Sequence, residues 1–297
     1  MLQYIVYSIK MIKQVFMEGV CFMRVKVLAS GSTGNCTYVE TNDHKILIDV
    51  GISKKAIDQT LAEVGVSFGE IDTLLITHEH EDHIKSLGVV LRKSEITCYM
   101  SEGTYNSIVN GKNDALKQLL VSKMESGYII LLNRLDKSIN YPDILLDNTV
   151  INVLPTFHDS VEPLGFKITN DGKSMVYITD TGYVHTSLYE KICNSECYVL
   201  EFNHDPHVLM ASSRPLNLKR RILSEHGHLS NEDAFITLAK VMGEKTRLVF
   251  YAHISQECNL VEIIELTRKK VMNSLGINDE AINYVPTSIS ATEVYEI

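Results

Sequence analysis

The stretch "THEHEDH" at 77–83 sets His78, His80, Asp82 and His83 close together, directly after the apolar run "LLI". On a helix, residues i and i+2 point to different sides, so His78 and His80 cannot converge on one ion there; in an extended loop they can. Asp82 and His83 then stand at the turn into a helix beginning near Ile84, where adjacent side chains can address a second ion. The spacing therefore fits two metals better than one. Imidazoles and carboxylates without cysteine suit zinc, manganese or iron and do not choose among them. Two such ions about 3.5–4 Å apart acidify a bridging water and neutralise charge on a phosphoryl or carbonyl oxygen, which is the chemistry of hydrolysis.

A second pair, His226 and His228, lies in "SEHGHLSNEDA" at 224–234. Ser230 and Asp233 match the Ser/Thr-x-x-Asp/Glu capping pattern, so a helix is expected to start after Ser230. His228 then sits at a helix mouth, beside N–H groups that favour an anion. An imidazole there can give a proton to a leaving oxygen. A carboxylate must keep it protonated, and Glu201 in "YVLEFNHD" is the expected partner. His226 has no comparable role and is taken as incidental.

These residues need a scaffold. Strand-like runs fall at 24–30, 36–40, 45–50, 71–77, 149–156, 174–180, 197–202 and 247–253. Helical patterns fall at 53–64, 84–93, 102–110, 186–193, 215–224, 231–242 and 259–273. The mixture implies α/β layers around sheets. The region 111–148 reads as a helix plus an irregular loop, a surface insertion. Polar residues recur at or just beyond strand ends: Asp49, His78, His158, Asp180, Glu201, His204 and His253. Such residues share one rim of a sheet, where α/β folds assemble their sites.

The 297 residues can bury a sizeable core, and 45% hydrophobic with 22% charged residues is an ordinary soluble composition. A net charge of −9 supplies no global attraction for nucleic acid, so such a substrate needs a local basic patch and metal ions. The six cysteines are scattered, with Cys193 and Cys197 the one close pair; reduced thiols in a cytoplasm are expected. The apolar N-terminus is broken by Lys10, Lys13 and Glu18, short of the ~20 residues of a membrane span. Residues 1–22 are read as an extension outside the native protein, with translation starting at Met23, or else as a short surface helix; 23–297 form the domain. Oligomeric state is left open, a dimer being compatible.

Two further stretches bear on substrate. "ASGSTGN" at 29–35 is either a tight turn or an anion-binding concavity, with Ser30 and Ser32 as phosphate contacts. "RPLNLKRR" at 214–221 brings Lys219, Arg220 and Arg221 together, as a solvated helix face or as contacts to a phosphate backbone.

At the HxHxDH residues the sequence resembles the metallo-β-lactamase superfamily. That resemblance implies a four-layer αββα sandwich, one metal held by His78, His80 and His158, and a second held by Asp82, His83 and His253. Asp180 would bridge the two, and Asp49 would orient a ligand histidine. "SGSTGN", "HEHEDH", "EFNHD", "KRRILSEHGHLSNEDA" and "AHISQECN" together resemble the WalJ (YycJ) family of bacterial nucleases from about Met23 onward. This implies a 5′→3′ DNA exonuclease in which a metal-bridging hydroxide attacks phosphorus and Glu201 and His228 assist the leaving group. Cys258 departs from that family's usual asparagine. The stretch from Asp180 to His253 is too short for a large inserted cap domain. The competing readings are a hydrolase of small thioesters, lactones or phosphodiesters, an RNA-directed nuclease, and a non-enzymatic interaction protein; the last is disfavoured because every ligand position is filled.

Overall fold

The computed structural model describes residues 22–135 and 139–297. The expectation for residues 1–22 lies, apart from Phe22, outside them. The strands are β1 (Arg24–Ala29), β2 (Cys36–Glu40), β3 (Lys45–Ile48), β4 (Thr73–Leu75), β5 (Thr97–Ser101), β6 (Ile129–Leu132), β7 (Ile144–Leu146), β8 (Thr149–Pro155), β9 (Leu164–Asn170), β10 (Lys173–Ile178), β11 (Cys197–Glu201), β12 (Leu248–Ala252), β13 (Asn283–Pro286) and β14 (Tyr295–Glu296). They form two seven-stranded sheets, ordered β14-β1-β2-β3-β4-β5-β6 and β13-β12-β11-β10-β9-β8-β7. Each sheet is antiparallel on one side and parallel on the other, with β3 to β6 and β10 to β13 running parallel.

Alternation along the strands explains the layering. Val25, Val39, Ile46, Ile48, Leu75, Met175, Tyr177, Val199 and Phe250 pack in one cluster between the sheets. Their neighbours point the other way: Tyr38, Leu47, Leu74 and Ile76 meet one helical layer, and Val176, Ile178, Tyr198, Leu200, Val249 and Tyr251 meet the other. Both faces of each sheet are covered, which is why these strands read as continuous apolar runs. Burying each such side chain contributes about 1.5–3 kcal/mol. The first helical layer includes Lys54–Ala62, Leu87–Lys93, Glu102–Val109 and Asp114–Glu125; the second includes Asn231–Val241 and Val261–Leu275. The result is the expected αββα sandwich without a large extra domain.

Region 111–148 is not a surface insertion. Beyond the helix Asp114–Glu125 it supplies β6 and β7, the outermost strands of the two sheets. Both are short, and Ile130 and Leu145 are exposed, so no clean alternation marks them. Also unanticipated were β5, β9, β13, β14 and the six-residue helix Pro206–Ala211.

The loop before β2 is locked onto the "THEHEDH" segment. Asn35 N–H donates to the Asp82 carbonyl at 2.8 Å, and Gly51 N–H to the Asn35 carbonyl at 2.8 Å. A Cβ on Gly51 would fall 1.6 Å from the Asp82 carbonyl oxygen, so only glycine allows the contact. Gly51→Ala is expected to cost on the order of 3 kcal/mol or more. Gly69→Ala, where the nearest atom would be 4.0 Å away, is expected to stay within about 0.5 kcal/mol of the parent. Thermal melts of the two variants check this; equal melting temperatures would be incompatible with the packing.

Candidate metal centre

The parallel strands of both sheets end at one rim, and the polar residues stand there. Asp49 follows β3, His78 lies just past β4, Asp180 follows β10, Glu201 ends β11 and His253 follows β12. Three of these take left-handed backbone without being glycine: Asp49 at φ 61°, Asp180 at φ 52° and His253 at φ 54°. Each such residue costs about 1–3 kcal/mol and persists where the surroundings over-determine it. For Asp49 and His253 the constraint is visible. Asp49 N–H donates to the Leu75 carbonyl at 2.8 Å, and His253 N–H to Ser30 Oγ at 2.8 Å.

Potential ligand atoms of His78, His80 and His158 lie within 4.8 Å of one another, as do those of Asp82, His83 and His253. Asp180 lies between the groups. Its Oδ2 is 3.3 Å from His83 Nε2, and its Oδ1 is 3.5 Å from His253 Nε2 and 3.9 Å from His158 Nε2. Two ligand atoms each about 2.0–2.1 Å from one tetrahedral zinc-like ion lie about 3.3–3.4 Å apart, so separations of 3.3, 3.5 and 3.9 Å are close to what such an ion requires. His78 Nε2 and His253 Nε2 are buried and have no hydrogen-bond partner among the described residues. Buried polar atoms left unpaired are costly, and an ion bound through these nitrogens removes the cost. The donor set therefore fits divalent metal.

The other ring nitrogen of His78, His83, His158 and His253 is held by the protein. His83 Nδ1 lies 2.7 Å from Asp49 Oδ2, while Asp49 also accepts Thr77 N–H at 2.8 Å and Thr77 Oγ1–H at 2.9 Å. His158 Nδ1 donates to the Gly227 carbonyl at 3.0 Å, and His78 Nδ1 lies 3.0 Å from Thr77 Oγ1. These contacts set which nitrogen faces the metal.

Glu201 is fully buried. Its Oε1 lies 2.7 Å from His228 Nδ1 and 2.9 Å from His253 Nδ1; its Oε2 accepts N–H groups of Thr181 at 2.9 Å and Leu229 at 3.3 Å. Asp180, Glu201, His228 and His253 also lie close enough to form a ligand group. Four donors already satisfy Glu201, however, so its geometry is that of an orienting carboxylate. Sequence reasoning paired Glu201 with His228 alone; its second imidazole was visible only in the fold.

The charges are strongly coupled. Burial would raise Glu201, but His228 and His253 outweigh it and hold the carboxyl at about 2. Burial likewise opposes ionisation of Asp180, and His253 and His83 hold it well below the carboxylate range. Burial would lower His253, yet Asp180 and Glu201 raise it to about 9. His83 is also raised, with Asp49 and Asp180 outweighing burial. Burial, reinforced by His83, holds His78 low.

The phosphate contacts divide. Arg221 ion-pairs with Asp159, and both line a cavity of about 120 Å³ with Ser32, His158, His228 and His253. Arg214, which was not anticipated, lines the same cavity and bonds Glu257 at 2.7 Å. Lys219 is not available. It is buried, and its Nζ donates to the carbonyls of Met210 at 2.8 Å and Ser212 at 2.7 Å, satisfying the end of the preceding helix. Arg220 is exposed and lies off this cavity. Ser30 is buried and positions His253 instead. His226 is exposed and makes no hydrogen bond or ion pair among the described residues. Asn35 is a further missed residue: its Nδ2 lies 3.0 Å from His83 Nε2 and 3.3 Å from Asp82 Oδ2.

Fold and site together define a metal-dependent hydrolase, and a profile described as "Beta-lactamase superfamily domain" matches residues 44–254. Among solved structures, the chain is similar to the metallo-beta-lactamase fold protein YhfI from Bacillus subtilis, with TM-score 0.64, 14% identity, and 93% of this chain and 100% of that chain covered. It is 34% identical over 276 residues to exodeoxyribonuclease WalJ of Streptococcus pneumoniae, covering 92% of this chain and 98% of that protein. It is 33% identical over 254 residues to exodeoxyribonuclease YycJ of Bacillus anthracis, covering 86% and 90%. The chain belongs to the WalJ/YycJ family.

Metal must displace protons from His83 and His253. The folded value of His253 lies above its unfolded value of 6.5. This pairing therefore stabilises the metal-free fold fully below pH 6.5, and the contribution fades as pH rises through about 9. Metal binding is expected to release protons and to tighten between pH 6 and 9. Calorimetric titration in buffers of different ionisation enthalpy reads the proton count; a buffer-independent heat would contradict the site's charge state.

Proposed function

We propose that the protein is an exodeoxyribonuclease that hydrolyses DNA phosphodiesters from the 5′ end, and that residues 23–297 act as one hydrolase domain. The observation that carries this reading is the Glu201–His228 pair beside the 120 Å³ cavity that Arg214 and Arg221 line. That cavity offers positive charge for phosphate next to a positioned proton donor. The names of the full-length relatives support DNA as the polymer. Ribonuclease Z of Mycobacterium bovis, 28% identical over 179 residues and 54% of this chain, makes RNA the alternative to test.

In this reading His78, His80 and His158 would hold one ion and Asp82, His83 and His253 the other, with Asp180 available to both. Divalent ions there would supply hydroxide near neutral pH and neutralise charge developing on a phosphoryl oxygen. Zinc, manganese and iron all suit the donors. Among the described residues five cysteines are free thiols and only Cys193 is exposed, which supports a reducing cytoplasm. No helix of the described residues is long and apolar enough to cross a membrane.

The protein's own part is positional. Asp49 and Thr77 fix His83, and Gly227 fixes His158. Glu201 holds His228 through Nδ1, which leaves Nε2 to deliver a proton to the leaving oxygen. Arg214 and Arg221 draw the phosphate backbone into the cavity; to do so Arg214 must share its charge with Glu257 and Arg221 with Asp159.

His228→Ala is expected to retain its metals and to lose about 10²–10⁴ in rate, the usual contribution of a general acid. Asp82→Ala should lose metal and activity together. Elemental analysis, combined with cleavage of 5′-labelled DNA and RNA, decides; metal loss in His228→Ala would reassign that residue as a ligand.

A further inference from the structure

Phe157 and Tyr183 stack with ring centroids 4.4 Å apart and an interplanar angle of 21°; His185 lies 6.1 Å from Phe157 and 6.3 Å from Tyr183. All three residues are half-buried. Neither Phe157 nor Tyr183 belongs to any of the four apolar clusters, and the Tyr183 hydroxyl makes no hydrogen bond among the described residues. The pair is thus not part of the core. Stacking covers one face of each ring and leaves apolar surface at the rim.

The stack is tied to the site by backbone. Phe157 precedes His158 in the chain. Gly182 N–H donates to the Phe157 carbonyl at 2.9 Å, and Phe157 N–H to Thr181 Oγ1 at 3.1 Å. Thr181 Oγ1–H in turn donates to the Tyr183 carbonyl at 2.7 Å, and Thr181 N–H to Glu201. Gly182 is wedged against the loop that carries His228: a Cβ there would fall 2.4 Å from the Glu225 carbonyl. The rings are therefore held rigidly between the segment carrying His158 and the loop carrying His228.

Rigid aromatic faces beside a phosphodiester-cleaving centre have one natural ligand, a nucleobase, since every base offers a π-face and stacking tolerates any sequence. We propose that the Phe157–Tyr183 stack, extended by His185, is a platform for an unpaired base of the strand whose phosphodiester lies at the metal centre. The inference rests on the nucleic-acid reading above and adds to it a preference for unpaired bases next to the cleaved bond.

The chain contains no tryptophan, so Tyr183→Trp introduces a single tryptophan into the platform, whose emission can be excited apart from that of the tyrosines. Manganese-loaded Tyr183→Trp protein would be titrated with phosphorothioate-linked oligothymidylate and with an abasic oligomer of equal length. Saturable quenching by the thymidine oligomer alone is expected. Phe157→Ala, measured by anisotropy of labelled oligomers, should bind the base-bearing oligomer on the order of ten- to a hundredfold more weakly and keep its affinity for the abasic one, which also shows that it is folded. Equal affinity of the parent protein for both oligomers, or an unchanged Phe157→Ala, overturns the platform while leaving the nuclease reading intact. Failure of the parent protein to bind or cleave any oligonucleotide overturns the nuclease reading itself, and the platform with it.

Discussion

Carboxylates cannot be buried alone, and the rest of this structure follows from how three of them are paired. Asp49, Asp180 and Glu201 are all buried at the rim where the parallel strands end. Each faces imidazoles rather than lysine or arginine. An imidazole can be held through one nitrogen while the other offers a lone pair, so the same contacts that compensate the carboxylates also orient metal ligands. Glu201 does this twice through one oxygen, gripping a proposed ligand, His253, and a proposed proton donor, His228. A change at Glu201 would therefore be felt in both metal retention and leaving-group chemistry.

The two sheets divide the work. The first contributes Asp49 and the "THEHEDH" segment; the second contributes His158, Asp180, Glu201 and His253. The apolar cluster between the sheets sets their separation and hence the distance, within each ligand group, from the "THEHEDH" residues to His158 and His253. Left-handed backbone at Asp49, Asp180 and His253 turns these side chains at the strand ends. The strain is sustained because neighbouring contacts, such as Ser30 to His253, leave the chain no alternative. The loop Ser30–Asn35, open at first to an anion-binding interpretation, spends much of its hydrogen bonding on this scaffold.

Substrate recognition is assembled from elements that are weak individually. One basic run contains a structural lysine, a cavity-lining arginine and an exposed arginine side by side. Lys219 turns inward to cap carbonyls, Arg221 turns to the cavity and Arg220 to solvent. Helical geometry makes this unavoidable, because three consecutive residues span most of a turn. Charge composition therefore overstates how many cations a phosphate backbone could meet here.

The chemistry was legible from local spacing. His78, His80, Asp82 and His83 sit in one short segment, and the capping pattern at Ser230 and Asp233 fixes where His228 must stand, so both are properties of a few adjacent residues. The continuous apolar runs of β1, β3, β10, β11 and β12 were equally plain, since both faces of those strands are buried. The edge strands β6 and β7 were not, because half-exposed short segments carry little periodicity. Nor could spacing show that Glu201 serves two histidines, that Asn35 reaches His83, that Lys219 is buried, or that Phe157 stacks on Tyr183. Those contacts join separate segments of the chain, and only the order of strands within each sheet and the folding of the loops at its rim bring them within a hydrogen bond or a ring contact.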